Sequence, residues 1–235
     1  TEEEKRARGV ELLALTIQQN LAPITFNGAA IIDFAGFEKI LAELGSVTIC
    51  VDQEAESIHL AENKEGKLQR VWYDDKRGKV MDVLPGYAPV KYKPGCQELT
   101  PEKALDYSRI RKSLKYGDYD RQRHQQQLIK AMAQKATSKG MLTSPAKLLR
   151  VAEAAGKALT LDTQGVKIED FFFTLKGVAA NDMVLVRTNA GKTNTIPGSS
   201  DEALTEESKQ MFQAVANGTL MQWLAMHPHF IANAG

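Results

Sequence analysis

The chain has 235 residues, 43% of them hydrophobic and 25% charged, with a formal net charge of +1. This suits a globular fold of one large or two small domains, and the balanced charge argues against broad nucleic-acid binding, which carries a basic bias over a whole domain. No stretch approaches the ~18 consecutive apolar residues of a membrane span, and the opening "TEEEKRARGVELL" carries acids where a signal peptide has basic residues.

In chain order, Val10, Leu13, Ile17 and Leu21 recur at the spacing of one helix face. "ITFNGAAIIDF" reads as a buried strand, "AGFEKILAELG" as a short helix stopped by Gly45, and "SVTICV" as the next strand. Strand, helix and strand joined this tightly make an α/β unit. Asp33 and Asp52 then stand as structural acids at strand ends. Residues 53–95 turn polar and turn-rich, with short strands at "RVWYD" and "PVKYK", and read as an excursion from the core.

The two cysteines bracket that excursion. Cys50 ends the "SVTICV" run, Cys96 follows the turn in "KPGCQ", and neither has metal-type C-x-x-C spacing. They read either as two buried thiols or as a staple across the excursion. A staple would stabilise the fold by roughly 4 kcal/mol at most on the chain-entropy model and would imply an oxidising compartment.

"LTPEKALDYSR" starts a helix over about 101–108, with Thr100 as N-cap, Pro101 at the first position and Glu102 in the first turn. Beyond Lys130, "SPAKLLRVAEAAGKAL" and "KIEDFFFTLKGVAA" have amphipathic helical patterns. "DMVLVRTN" reads as a buried strand, "GKTNTIPGSSDEALTEE" as a loop, and the remainder as a final helix or broken pair. The pattern as a whole is a single α/β domain over 1–235, its mixed central sheet flanked by helices on both faces.

Chemistry concentrates between Tyr107 and Lys130. Seven cations, Arg109, Arg111, Lys112, Lys115, Arg121, Arg123 and Lys130, face only Asp118 and Asp120, a local excess of five in a nearly neutral chain. Arg109 and Arg111, two apart, share a side where the backbone is extended, and paired guanidiniums clamp phosphate oxygens. Gly117 breaks the chain, and Asp118 is the expected N-cap of a helix to about Lys135. On it Arg121, Gln125, Leu128 and Met132 share the inward face, and the helix N-terminus favours an anion. Arg123, His124 and Lys130 fall off that face, toward solvent. A solvated cationic face is the competing reading of the whole run.

The words around these charges are more specific. "LTPEKALDYSRIRKS…GDYDRQRHQQQLIKAM" resembles the signature region of the LytR-CpsA-Psr family, a helix ending in Y-x-R-x-R followed by a G-D-x-x-R-x-x-x-Q helix. "FNGAAIIDFAGFEKILAELGSVTICVD" is similar to the family's preceding strand–helix–strand, with Ser46 in place of the usual second glycine. The "CVD…PGCQ" pair resembles the actinobacterial branch, which implies a Cys50–Cys96 disulfide. The family implies an α/β sandwich with a lipid tunnel. It also implies an extracytoplasmic, membrane-anchored phosphotransferase, which moves a glycopolymer from a polyprenyl pyrophosphate carrier onto peptidoglycan. Carried over, Arg109 and Arg111 are the catalytic pair, and with Arg121 and Gln125 they bind the pyrophosphate. Mg²⁺ or Mn²⁺ is the implied cofactor, its acidic ligands expected upstream of this chain. The anchor and first strands are likewise expected outside it or on a separate N-terminal segment. A lipid-pyrophosphate binding module without transfer, and a cell-envelope regulator, are the alternatives.

Fainter signals point to structure. His227 and His229 in "MHPHF" read as a surface tail, and Trp72, Trp223 and Phe171, Phe172 and Phe173 as core or rim packing.

Overall fold

The computed structural model describes residues 1–26, 28–162 and 183–232, and the chain forms two compact units. The expected mixed α/β class holds, although the strands pair in short two- and three-stranded ladders. No helix among the described residues is long and apolar enough to cross a membrane.

The first unit draws, among the described residues, on 1–26, 28–31, 160–162 and 186–232. It opens with α1 (Glu2–Asn20), started by a capping box in which Thr1 accepts from Glu4 N. Val10, Ile17 and Leu21 are half-buried, whereas Leu13 of the expected face is exposed. Strand β1 (Ala29–Ile32) pairs with the later β9 (Leu159–Asp162). The final helix is a broken pair, α7 (Glu206–Ala216) and α8 (Leu220–Met226), separated at Gly218 with φ +67°. Met211, Trp223, Leu224 and Phe230 form its core. His227 stacks on Trp223 at 4.0 Å, and its Nδ1 lies 2.9 Å from the Trp223 carbonyl.

The second unit, described over residues 32–159 and 183–185, carries the arginine segment. Asp33 caps α2 (Phe34–Leu44) by accepting from Gly36 N at 2.7 Å, and Gly45 ends it at φ +77°. Next come β2 (Val47–Val51), β3 (Ala55–Asn63), β4 (Leu68–Arg70), β5 (Trp72–Asp74), β6 (Lys79–Met81), β7 (Tyr87–Tyr92) and β8 (Gly95–Leu99). They make three antiparallel ladders, β2 with β8, β4–β3–β7, and the β5–β6 hairpin. Helices α3 (Pro101–Arg109), α4 (Asp118–Ala136), α5 (Lys139–Leu142) and α6 (Pro145–Ala158) follow. The polar stretch 53–95 contributes Ala55, Leu60, Val90 and Tyr92 to the main core, beside Leu41, Val47, Ile49, Leu105, Tyr107, Ile110 and Leu128.

Cys50 and Cys96 are bonded as a disulfide between directly opposed positions of β2 and β8. The same ladder is tied by a hydrogen bond from the Ser46 hydroxyl to Glu98.

Two expected elements differ. Asp118 is the first helical residue of α4, and Gly117, at φ +51°, occupies the cap. "DMVLVRTN" is, among its described residues, an isolated bridge of Val186 with Ile231 rather than a strand. Asn189 and Ala190 turn into the left-handed region directly afterwards, at φ 51° and 50°, so no ladder continues. The expected helix at "KIEDFFFTLKGVAA", with Phe171, Phe172 and Phe173, lies outside the described residues.

Candidate functional site

The site begins at the end of α3. Thr100, Pro101 and Glu102 start this helix as their types demand, and Arg109 is its last residue. Ile110 is extended (φ −61°, ψ 131°) and fully buried, so it anchors the chain to the core. Arg111, the next residue, therefore leaves on the side opposite the buried Ile110, while Arg109 is still helical. Arg109 lies over the Phe34 ring at 4.9 Å, a cation–π contact. Arg111 is exposed and forms no ion pair among the described residues.

Arg109 lines a cleft of about 460 Å³ whose wall is apolar at Phe34, Leu60, Leu68 and Leu105. His59 and Asp106 line it as well. A bulge interrupts the β3·β7 register between Glu56 and Ala61. Ser57 sits in it, accepting from the freed His59 N and Leu60 N at 3.0 and 2.8 Å while donating to Asp106 Oδ1 at 2.9 Å. Tyr92 donates to Asp106 Oδ2 at 2.6 Å. The bulge thus presents His59 to the cleft and fixes α3 through Asp106. Burial, and then the Arg109 charge, lowers the His59 pKa.

Arg121 and Gln125 lie one turn apart on α4, both half-buried. Arg121 pairs with Asp118 at 2.5 Å, yet its Nε–H is hidden from water with no hydrogen-bond partner. Such an orphaned donor costs about 1–3 kcal/mol, which an anionic oxygen would recover. Gln125 makes no hydrogen bond among the described residues.

The inward face of α4 is not the expected one. Asp120, Arg123, His124, Gln127, Leu128 and Ala131 point into the core, so Arg123 and His124 are buried rather than solvated. Arg123 can bury because acids neutralise it on two sides. Its Nη1 donates to Asp120 Oδ1 at 2.8 Å, and its Nε lies 2.9 Å from Asp52 Oδ2. The Nε–H is not aligned for a hydrogen bond, so this second contact is coulombic. Asp120 Oδ2 also accepts from Tyr116 N at 2.9 Å, tying down the end of the loop that carries Arg111. His124 stacks on Tyr107 at 4.0 Å, with Nδ1 3.1 Å from the Tyr107 carbonyl. The Tyr107 hydroxyl donates to Gln127 Oε1 at 2.8 Å.

Two buried groups here give a signed pH dependence. Burial, and next the Arg123 charge, pushes the His124 pKa down from 6.5 to about 4. Its stabilising contribution is complete above pH 6.5 and is lost as pH falls through about 4. Burial raises the Asp106 carboxyl from 3.8 to about 6, against the Tyr92 and Ser57 hydroxyls and Arg109. Its contribution is complete below pH 3.8 and is lost as pH rises through about 6. The two slopes oppose each other between pH 4 and 6. Asp106→Asn should expose the His124 slope, a loss of about 3 kcal/mol on acidification from pH 6.5 to 4. Urea midpoints across that range measure it, and a slope equal to that of the unaltered chain would contradict the assignment.

No group of three or more His, Cys, Asp or Glu that could hold a metal occurs among the described residues. Five aspartates of this unit are already engaged: Asp33 by the α2 N-terminus, Asp52 and Asp120 by Arg123, Asp106 by two hydroxyls, Asp118 by Arg121. The described residues do not fit a Mg²⁺ or Mn²⁺ site.

Residues 4–217 match the LytR_cpsA_psr family. The chain is 24% identical over 200 residues to the polyisoprenyl-teichoic acid–peptidoglycan teichoic acid transferase TagV of Bacillus subtilis, covering 83% of this chain and 44% of that protein. It is 35% identical over 89 residues to the cell wall biosynthesis protein LcpA of Corynebacterium glutamicum, covering 38% of this chain and 17% of LcpA. The chain thus spans less than half the length of both relatives. The crystal structure of B. subtilis TagV superposes with a TM-score of 0.53 at 17% identity, over 85% of this chain and 66% of that one, a likeness of fold.

Proposed function

Because this chain belongs to the LytR_cpsA_psr family, we propose that it moves a glycopolymer from a polyprenyl pyrophosphate carrier onto peptidoglycan at the outer face of the cell membrane. An acceptor hydroxyl attacks the phosphorus that bears the glycopolymer. A new P–O bond forms to the acceptor, the P–O–P bridge breaks, polyprenyl monophosphate leaves, and the hydroxyl proton passes to water. Such a transfer calls for positioning and charge stabilisation more than for covalent help.

The observation that carries this reading is a set of uncommitted donors on the Arg111 loop and the first turns of α4. Among the described residues Arg111 has no side-chain partner, Arg121 keeps an orphaned Nε–H, and the Gln125 amide makes no hydrogen bond. In the proposed complex Arg109 and Arg111 neutralise the diphosphate, Arg121 donates to it from the start of α4, and Gln125 orients an oxygen. The apolar wall at Phe34, Leu60, Leu68 and Leu105 suits the first isoprene units of the carrier. The Cys50–Cys96 bond supports an oxidising, extracytoplasmic setting.

The test is incubation of the chain with a short prenyl-pyrophosphoryl saccharide and soluble peptidoglycan fragments, followed by mass spectrometry. Equal amounts of prenyl monophosphate and phosphodiester-linked product, both lost in Arg111→Ala, are expected. Binding without either product would replace the transferase by a binding module. That second reading is favoured by one observation, the engagement of Asp33, Asp52, Asp106, Asp118 and Asp120 by internal partners.

A further inference from the structure

A second cleft, of about 520 Å³, opens beside the arginine loop. Its walls come from β3, the β5–β6 hairpin and β7, and it is completed by Lys112 and Ser113, the two residues that follow Arg111. Internal contacts hold this shape. Lys112 Nζ pairs with Asp75 Oδ1 at 2.6 Å and ties the hairpin turn to the loop. The Ser113 hydroxyl donates to the Glu56 carbonyl at 2.9 Å and accepts from Glu56 N at 3.3 Å, joining the loop to β3. The cleft therefore begins one residue from Arg111, ~3.8 Å along the backbone.

Its lining selects a class of ligand. Tyr73 and Tyr87 are half-buried in the wall, and their hydroxyls make no hydrogen bond among the described residues. Lys79 at the rim has no ion pair among them either. Glu56 is paired with Lys91 at 3.1 Å, which leaves part of its carboxylate free to accept. Lys112 is taken by Asp75 and Glu56 by Lys91, which leaves Lys79 as the one lining cation without an ion pair among the described residues, where a phosphate clamp calls for paired cations. Aromatic faces for C–H surfaces, with free hydroxyl, ammonium and carboxylate groups around them, suit a neutral polyhydroxylated ring. The volume lies within the ~300–1,000 Å³ of small-molecule sites.

We propose that this cleft binds a saccharide unit, with Tyr73 and Tyr87 as its platform and Lys79 and Glu56 as its polar contacts. The inference rests on the transferase reading for its biological setting. The same chemistry has two sources, the sugar carried on the pyrophosphate or a glycan strand of the acceptor. Both would lie beside Arg111.

Three probes separate them: geranyl pyrophosphate, geranyl-pyrophosphoryl-N-acetylglucosamine, and chitotetraose alone. Each is titrated by calorimetry into the chain, Tyr73→Ala and Lys79→Ala, the last at an exposed position that leaves the fold intact if Tyr73→Ala does not. If the cleft holds the donor sugar, the sugar-bearing pyrophosphate binds about tenfold tighter than geranyl pyrophosphate. That gain then disappears in the variants while geranyl pyrophosphate binds them unchanged. If it holds the acceptor, chitotetraose binds by itself and weakens about tenfold in the variants. The proposal is overturned if neither sugar effect occurs, or if either effect survives in both variants. Failure of geranyl pyrophosphate to bind would instead strike the transferase reading, since the chitotetraose arm does not depend on it.

Discussion

Replacing Arg123 by alanine is expected to destabilise the second unit by about 3–5 kcal/mol, the usual result of breaking a buried ion pair from one side. Arg123 is 6% exposed and Asp120 1% exposed, so water cannot reach in to replace the lost guanidinium. Asp120 would remain charged in the core with only the Tyr116 N–H as a close partner, and Asp52 would lose its counter-ion. Arg123→Lys keeps the charge but not the fork, and should fall between the two. Urea unfolding measures the difference. A loss below about 1 kcal/mol, the range of solvent-exposed pairs, would show that the trio contributes little.

The second large effect falls on binding and leaves stability alone. Among the described residues Arg111 has no side-chain partner to abandon, so Arg111→Ala should change unfolding by no more than about 0.5 kcal/mol, as for other surface substitutions. A charged hydrogen bond to pyrophosphate is worth about 1.5–3 kcal/mol, which makes the expected loss of affinity about ten- to a hundredfold. Arg109→Ala is less clean. It also removes the stacking on Phe34 and a charge that holds down the Asp106 pKa. Arg121→Ala releases Asp118 from its pair and changes the charge at the start of α4. Arg111 is therefore the position at which binding and folding separate.

Local chemistry was legible in the sequence where neighbouring residues decide it. Thr100, Pro101 and Glu102 announced α3, and Gly45 ended α2, because caps and stops need only a few adjacent side chains. The Y-x-R-x-R and G-D-x-x-R-x-x-x-Q words mark Arg109, Arg111, Arg121 and Gln125 in the same way, as short runs of neighbours. Arg123 and His124 were misplaced because their burial depends on Asp52, at the far end of β2, and on the Tyr107 ring. Cations read alone belong in water, and only long-range pairing brings them inside. The glutamine run shows the same limit. Gln125 makes no hydrogen bond among the described residues, while Gln127 serves as the buried partner of Tyr107. Trp72, expected in the core or at its rim, is half exposed, with its Nε1–H donating to Asp82 at 2.6 Å. The saccharide cleft had no sequence signal, since Tyr73, Tyr87 and Lys112 converge only through the hairpin and the Lys112–Asp75 pair.

Calorimetric titration of geranyl pyrophosphate, with geranyl monophosphate as comparison, into the unaltered chain and Arg111→Ala tests the central claim most directly. The account predicts saturable binding that prefers the pyrophosphate and weakens about ten- to a hundredfold in the variant, at unchanged unfolding midpoint. Equal affinity of both proteins for the pyrophosphate, or no preference for it over the monophosphate, would contradict the assignment and leave the arginines as a solvated face.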